Sequence, residues 1–308
     1  MSLHFKSSGK LLLTGEYAVL DGAKGLAVPT SYGQSLSVES IGERLIKWES
    51  LDLEGQTWFS ANFSLSRTLE KHIGIIDTSD KEVATRLLQI LNYISEMNPK
   101  IFDNDPGYII KSQLDFPRDW GLGSSSTLIS NLAQWSGIDP YQLLSKTFGG
   151  SGYDIACALS DSPLTYQLKN SNERVVTSVS FDPSFKNQLY FIHLNKKQNS
   201  REGITRYKSK GSVDRDALQQ ISAISEEMIA CESLPKFQRL MKRHEDIISA
   251  LIDLPPVQEK LFPDFSGQLK SLGAWGGDFI MAASEEDVSS YFKSKGYPTV
   301  ISYEQMCL

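Results

Sequence analysis

Glycine and hydroxyl residues are concentrated at positions 121–127, which read GLGSSST. Gly121 and Gly123 lack the Cβ atoms that would keep a ligand away from the backbone. The hydroxyls that follow lie where a helix is predicted to begin, and the unpaired N–H groups and positive dipole end of a helix start attract phosphate. The stretch could therefore bind phosphate. Serines also cap helices and glycines also form turns, so this alternative remains open for the stretch taken alone.

A strand and a helix would position this loop. Tyr108–Ile110 is an apolar, strand-like run that precedes it. Leu128, Leu132 and Trp135 follow it with the i, i+4, i+7 spacing of one helix face. The loop differs from other anion-binding loops, because no Gly-Lys-Ser/Thr follows, as a P-loop requires. Ser126 stands where a dinucleotide-binding fingerprint has its third glycine.

An aspartate at a second predicted helix start is the other candidate for chemistry. Asp154 opens the apolar segment 155–159, directly after Gly149-Gly150-Ser151-Gly152. It could act as a general base or bind a cation, or it could only cap the helix. The segment is not a nucleophile elbow, because Tyr153 stands where that motif requires glycine.

Two stretches resemble the first two motifs of the GHMP kinases, the superfamily of galactokinase, homoserine kinase, mevalonate kinase and phosphomevalonate kinase. Pro117 and residues 121–126 match the second motif, a proline followed by Gly-Leu-Gly-Ser-Ser and a small residue. Residues 9–29 resemble the first motif, with Gly9-Lys10, then GEYAVL at 15–20, then small residues up to Pro29. Tyr17 and Leu20 make this version more similar to phosphomevalonate kinase than to galactokinase.

Two further stretches extend the resemblance. Ser151-Gly152-Tyr153-Asp154 matches the Ser-Gly-x-Asp of mevalonate-type kinases, and the spelling GYDIA at 152–156 identifies the chain as a member of the GYDIA family of GHMP kinases. Residues 272–278, LGAWGGD, loosely match the third motif, with Trp275 in place of a glycine and Asp278 after the run. The four stretches occur in the order that the superfamily has.

The resemblance implies an α+β, two-lobed GHMP kinase fold. The N-terminal lobe would be ribosomal-protein-S5-like and would bind nucleotide, and the C-terminal lobe would be ferredoxin-like. We place the boundary near Lys186, which gives lobes at 1–185 and 186–308. Beyond the motifs, the apolar patterns predict a helix at Lys81–Met97, with further helices at Ala217–Ile229 and Lys236–Leu251.

Short alternating or apolar runs predict strands over much of the remaining chain. These include 26–28, 34–38, 45–48, 164–168, 175–179, 189–194, 279–282 and 299–303. The pattern also predicts helices at 141–148, after the Asp139-Pro140 cap, and at 285–293. Strands and helices mixed in this way indicate an α+β protein.

The resemblance also implies the cofactors, ATP and Mg²⁺, and a role for each matched residue. Asp154 would be the catalytic base and Lys10 would offset charge near the phosphoryl acceptor. The nucleotide phosphates would be bound by Gly121, Leu122, Gly123, Ser124, Ser125 and Ser126. The substrate would be bound by Glu16, Ser151, Gly152, Gly276 and Gly277. The Ser125 hydroxyl would also bind Mg²⁺.

One part of the mevalonate kinase pattern is missing from the sequence. Those enzymes carry a magnesium-binding glutamate on the helix before the catalytic aspartate, and this chain has Gln142, Leu143 and Leu144 there. Three hypotheses follow. In the first, the chain is an ATP-dependent kinase of a small anionic alcohol, with mevalonate or phosphomevalonate as the expected acceptor. In the second, it is an ATP-dependent decarboxylase of the diphosphomevalonate type. The third is a non-catalytic nucleotide- or metabolite-binding protein that kept the fold.

Composition restricts the partners and the compartment. The 308 residues are 40% apolar and 22% charged, as in ordinary globular proteins, and are enough for two lobes. The formal charge of −6 argues against nucleic acid or an anionic membrane as a partner, so we expect a small-molecule substrate and a monomer or homodimer. Three dispersed cysteines and four dispersed histidines suggest neither disulfides nor zinc. Without a signal-peptide core in MSLHFKSSGK, we expect a cytoplasmic protein.

Overall fold

The structure is a computed structural model, and it describes residues 2–65, 73–103, 107–170, 173–197, 200–209, 211 and 214–308. The strands are β1 (Ser2–Leu12), β2 (Gly25–Ile41), β3 (Leu45–Leu51), β4 (Thr57–Leu65), β5 (Ile73–Thr78), β6 (Gly107–Leu114), β7 (Leu164–Leu168), β8 (Arg174–Ser178), β9 (Leu189–His193), β10 (Gln268–Ser271), β11 (Phe279–Ala283) and β12 (Val300–Ser302). The helices are α1 (Lys81–Met97), α2 (Lys100–Asp103), α3 (Ser124–Ser136), α4 (Pro140–Thr147), α5 (Tyr153–Ala158), α6 (Ser200–Ser209), α7 (Arg215–Ile229), α8 (Leu234–Ile252), α9 (Val257–Leu261), α10 (Val288–Ser294) and α11 (Tyr303–Met306).

The strands form two sheets. The larger sheet has the order β5-β4-β3-β6-β2-β7-β8, with β1 paired to β2. It is mixed, because β3 and β6 run parallel whereas β3 and β4, and β2 and β6, are antiparallel. The smaller sheet is antiparallel and has the order β10-β11-β9-β12. One mixed and one antiparallel sheet, with interspersed helices, confirm the predicted α+β class.

Contacts divide the chain into two compact units. The first comprises Met1–Gly9, Tyr32–Arg118 and Gly123–Leu159, and the second comprises Lys10–Ser31, Asp119–Leu122 and Ser160–Leu308. This division differs from the predicted lobes 1–185 and 186–308. The reason lies in β2 and its surroundings, because Gly25, Leu26 and Ala27 pair with β7 inside the second unit.

Helix α1 contributes a large part of the core of the first unit. It has the bounds that its apolar pattern predicts. Its N-cap is Asp80, whose side chain accepts hydrogen bonds from two first-turn N–H groups. Leu87, Ile90, Leu91 and Ile94 are buried in a cluster with apolar side chains of β3 and β4. Burial of each such side chain contributes roughly 1.5–3 kcal/mol to stability.

The second unit contains the smaller sheet and the longer C-terminal helices. Phe262, Phe265 and Phe292 are packed against Ile192 and Ile280 of the central strands. The predicted helices at 217–229 and 236–251 are confirmed as α7 and α8. Each begins two residues earlier than predicted, and α8 also ends one residue later. Among the described residues, no helix combines the length and the apolar character needed to cross a membrane.

Two predictions of local structure are corrected. The runs predicted as separate strands at 26–28 and 34–38 both lie in β2, a single strand of 17 residues. The helix predicted from Glu285 begins instead at Val288, because the Asp287 side chain accepts a hydrogen bond from the Ser290 N–H (3.0 Å) and so caps it.

Candidate functional site

The glycine loop leads directly into helix α3, and a glycine is the N-cap of that helix. Gly123 is the N-cap of α3 with a φ of 88°, in the left-handed region that glycine adopts without strain. Its carbonyl accepts hydrogen bonds from the N–H groups of Ser126 and Thr127, each at 3.0 Å. The serines are therefore not N-caps, and the hydroxyl of Ser125 is exposed whereas Ser126 is buried. The N–H groups at the start of a helix have no partner within it, which leaves them available to an anion.

Lys10 holds the preceding part of the loop at two points. Its backbone N–H donates to the carbonyl of Leu122 and its Nζ donates to the carbonyl of Gly121, both at 3.0 Å. His193 of β9 adds a third contact, with its Nε2 3.2 Å from the carbonyl oxygen of Asp119. The predicted catalytic lysine is therefore bonded to the predicted phosphate loop, and its ammonium charge lies beside Gly121.

A carboxylate also lies beside Gly121. A Cβ atom built on Gly121, whose φ is 67°, would stand 2.5 Å from Cγ and Oδ2 of Asp278 and 2.8 Å from Oδ1. A glycine is thus required both by the backbone angle and by the close approach of this side chain. The sequence pattern places Asp278 after the third glycine motif but does not indicate this contact.

The predicted catalytic aspartate lies in the first turn of a short helix. Gly152, with a φ of 90°, is the N-cap of α5, so Asp154 is not itself the cap. Its Oδ2 accepts a hydrogen bond from the Ser126 hydroxyl (3.4 Å). Its Oδ1 is buried and has no hydrogen-bond partner among the described residues. A buried carboxylate oxygen without a partner is costly, and a proton or cation from a ligand would satisfy it.

Glu16, predicted to bind substrate, is 1% exposed and paired inside the second unit. Its Oε1 accepts a hydrogen bond from the ammonium of Lys270, which also donates to the Ser271 carbonyl (2.9 Å). Burial raises the pKa of Glu16, against the opposing effect of the Lys270 charge. A substrate contact by Glu16 stays a prediction.

Two further titratable side chains complete this buried cluster. The Nε2 of His244 accepts a hydrogen bond from the Gly15 N–H (2.9 Å), and burial lowers the pKa of His244 well below its usual value. Glu245 accepts a hydrogen bond from the Ser271 N–H (3.0 Å), and burial raises its pKa to about 8. This cluster is not among the residues predicted from the sequence. Its signal was present, because His244 follows Met241 at helical spacing on the apolar face of α8.

The third glycine loop is tied to the first motif through a tyrosine. The Tyr17 hydroxyl accepts a hydrogen bond from the Trp275 N–H (3.1 Å), and the Tyr17 ring stacks on Tyr207 with centroids 5.8 Å apart. Burial raises the pKa of Tyr17, so the hydroxyl stays protonated. Of the two glycines predicted to bind substrate here, Gly276 is exposed and Gly277 is buried.

Two of the predicted site residues, Ser125 and Asp154, offer the oxygen ligands that magnesium prefers. Ser125 supplies an exposed hydroxyl, and Asp154 supplies the unpartnered Oδ1. Both fit Mg²⁺, which proteins often bind through one or two carboxylates together with substrate phosphates. In helix α4, Leu143 and Leu144 are core residues, so neither position can supply a ligand.

Solved structures resemble this chain over nearly its whole length. Mevalonate kinase from Methanococcus jannaschii is similar with a TM-score of 0.69 at 14% identity, covering 97% of this chain and 96% of that one. A complex of Streptococcus pneumoniae phosphomevalonate kinase with phosphomevalonate and AMPPNP has a TM-score of 0.68 at 14% identity, with 95% of each chain covered. Lactococcus lactis galactokinase complexed with galactose has a TM-score of 0.65 at 14% identity, covering 100% and 93%. No protein-family model and no curated protein sequence matches the chain.

Proposed function

Since the chain has the GHMP kinase fold, which the similar solved structures show, we propose that it is an ATP-dependent kinase of a small molecule. It would transfer the γ-phosphoryl group of ATP to a hydroxyl of a small anionic alcohol. The fold alone does not determine the activity, so the proposal depends on the side chains that the fold presents.

The observation that carries the proposal is the pairing of Asp154 with Ser126. The two residues lie in the first turns of α5 and α3, and the Ser126 hydroxyl donates to one carboxylate oxygen (3.4 Å). This contact orients the carboxylate and leaves its other oxygen, Oδ1, without a partner among the described residues. A carboxylate held in this way is suited to accept a proton from a hydroxyl.

The proposed step forms one bond and breaks one. The acceptor oxygen bonds to the γ-phosphorus while the bond from that phosphorus to the β,γ-bridging oxygen breaks, and ADP leaves with the electron pair. Asp154 accepts the acceptor's hydroxyl proton. The helix-start N–H groups of Ser124 and Ser125 bind phosphate oxygens. A charge-neutralising role for Lys10 stays a prediction.

On this proposal the Ser125 hydroxyl would hold the metal, because the free Oδ1 of Asp154 accepts the proton. When bound, Mg²⁺ would neutralise charge on the β- and γ-phosphate oxygens. The acceptor that we propose is mevalonate or phosphomevalonate. This finer choice is supported by the Tyr17 and Leu20 version of the first motif and by the mevalonate and phosphomevalonate kinases among the similar structures.

An ADP-release assay with ATP, Mg²⁺ and a panel of acceptors tests the proposal. The panel holds mevalonate, phosphomevalonate, diphosphomevalonate, homoserine and galactose, and CO₂ is measured with diphosphomevalonate to detect a decarboxylase. We expect acceptor-dependent ADP release with mevalonate or phosphomevalonate. Asp154→Asn should lower kcat roughly 100- to 10,000-fold while AMPPNP binding is unchanged. Asp216→Asn, a first-turn aspartate of α7, is the matched control and should leave kcat unchanged.

A second candidate is a nucleotide- or metabolite-binding protein with the same fold. The observation that favours it is the core position of Leu143 and Leu144, which leaves that part of α4 without a carboxylate. ATP binding without ADP release for any acceptor would support this candidate over the kinase. Undiminished kcat in Asp154→Asn would contradict the role given to Asp154.

A further inference from the structure

We infer that Gln34 is a positioning residue for the start of helix α3, where Ser126 and the proposed phosphate site lie. Two successive turns of that helix donate hydrogen bonds to it, from Thr127 to its side chain and from Asn131 to its backbone. The inference rests on the proposed function, because it takes the N–H groups at this helix start as ligands of phosphate. Gln34 lies outside every sequence motif of the candidate site.

The first observation is the geometry of the two hydrogen bonds. The Thr127 hydroxyl donates to Oε1 of Gln34 (2.7 Å), and Nδ2 of Asn131 donates to the Gln34 carbonyl (2.9 Å). Thr127 and Asn131 are four positions apart in α3, so they lie on one face of the helix, one turn apart. Hydrogen bonds are directional, whereas apolar burial is not. Two hydrogen bonds to one residue therefore fix both the rotation and the axial position of the helix.

The second observation is that a residue of β1 completes a buried network. The Ser7 hydroxyl donates to Oδ1 of Asn131 (2.9 Å), which turns the Nδ2 of that amide towards Gln34. Ser7, Gln34, Thr127 and Asn131 are all buried. Within the described part of the chain, no buried side-chain oxygen or nitrogen of these four residues is left without a hydrogen bond. A polar network satisfied in this way is rigid, so it holds α3 against β1 and β2.

The third observation is that Gln34 occupies a position of β2 that faces the core. Residues 34, 36 and 38 lie on one face of the strand, and Leu36 and Val38 are buried in the cluster that also contains Ile129 and Leu132 of α3. A leucine at position 34 would pack there without the cost of burying an amide. The amide therefore serves to orient the helix more than to fill the core.

The orientation of α3 affects the proposed chemistry through the residue next to Thr127. Ser126 donates to Oδ2 of Asp154 over 3.4 Å, which is long for a hydrogen bond. A hydroxyl oxygen on a helix lies about 4 Å from the helix axis, so a rotation of about 10° moves it by about 0.7 Å. Movement of this size away from Asp154 breaks the hydrogen bond, and the same rotation turns the N–H groups of Ser124 and Ser125.

Binding of AMPPNP with Mg²⁺, measured by isothermal titration calorimetry, tests this role beside urea unfolding and kcat. Thr127→Val keeps the shape of the side chain and leaves Oε1 of Gln34 buried without its donor, whereas Thr127→Ser keeps the hydroxyl. The double variant Gln34→Leu, Thr127→Val makes both partners apolar, which should restore stability. Ser112→Ala is the matched control, since the Ser112 hydroxyl donates to Oγ of Ser50 (3.0 Å) in a buried pair that joins β6 to β3.

We expect Thr127→Val and the double variant to bind AMPPNP roughly 10-fold more weakly than wild type, with a similar fall in kcat. The double variant should nevertheless unfold at nearly the urea concentration of wild type. Thr127→Ser should match wild type, and Ser112→Ala should lose stability but neither affinity nor kcat. A double variant that regains wild-type affinity together with stability would overturn the inference alone, because the network would then only support the fold. Wild type that binds no AMPPNP under any condition would overturn the proposed function as well.

Discussion

Replacing Lys270 with methionine would leave the Glu16 carboxylate buried without its counter-charge. Both side chains have no exposed surface, and the Lys270 ammonium donates to Glu16 and to the Ser271 carbonyl. Methionine is unbranched like lysine and one heavy atom shorter, so it keeps most of the apolar chain and lacks the ammonium group. Removing one partner of a buried ion pair typically costs about 3–5 kcal/mol, and we expect Lys270→Met to lose this much of its free energy of unfolding at pH 8.

The loss should shrink as the pH falls. Burial raises the pKa of Glu16 above its unfolded value, and Lys270 opposes this rise, so removing the lysine raises the pKa further. A folded state that binds a proton which the unfolded state has released loses stability as pH increases. The variant should therefore be closer to wild type at pH 5 than at pH 8, because Glu16 becomes neutral.

Urea unfolding at pH 5 and pH 8 measures both effects. The double variant Glu16→Leu, Lys270→Met should recover most of the loss, with a coupling energy of about 2 kcal/mol or more, because neither charge stays buried. Lys242→Met is the control, since Lys242 pairs with Asp246 at 3.0 Å on the surface and should contribute only about 0–1 kcal/mol. A Lys270→Met loss no larger than the control's, or one that does not grow with pH, would refute the reasoning.

Three other outcomes follow from the geometry. Burial raises the pKa of Glu245 to about 8, so protonation of Glu245 stabilises the folded state below about pH 4.5, and this stabilisation is lost as the pH rises through 8. Glu245→Gln should therefore flatten the dependence of the free energy of unfolding on pH, measured by urea unfolding. Gly121→Ala should lose more stability than Gly137→Ala, because both glycines have a positive φ and only the first has a neighbour where the Cβ would stand. Equal losses would contradict that contact. Tyr17→Phe should cost about 1–3 kcal/mol by leaving the buried Trp275 N–H without an acceptor, and a thermal midpoint equal to wild type's would count against it.

Local elements of the fold were predictable because their signals are local. Helix α1 was predicted with its observed bounds, since a capping aspartate and a helical apolar pattern coincide there. Strand β2 was not predicted as one strand, because it changes partners along its length. Gly25–Ala27 pairs with β7 and Gln34–Ile41 pairs with β6, and alternation in sequence does not record which neighbour a residue pairs with.

The glycine turns and helix starts of the candidate site were predictable, because each lies within a single stretch of sequence. The glycine loop and the helices that follow it were located from sequence, but both caps are glycines, Gly123 and Gly152, and not the hydroxyl or acidic residues beside them. The preference for glycine comes from the left-handed backbone angle at each cap, which residue type alone does not reveal. The Glu16–Lys270 pair was missed because its members are 254 positions apart. Lys270 also lies in β10, a buried strand that the sequence patterns do not predict.

That separation has a consequence for synthesis on the ribosome. Glu16 leaves the ribosome early and its partner Lys270 is added 254 residues later, which at about 5–20 residues per second means a delay of about 13 to 50 s. The last segment of the first unit ends at Leu159, whereas Lys10–Ser31 belongs to a unit whose remaining segments extend to the C-terminus. In the nascent chain Glu16 therefore has no Lys270 to pair with until translation is almost complete. During this interval we expect the segment around Glu16 to be open to chaperone binding or to misfolding.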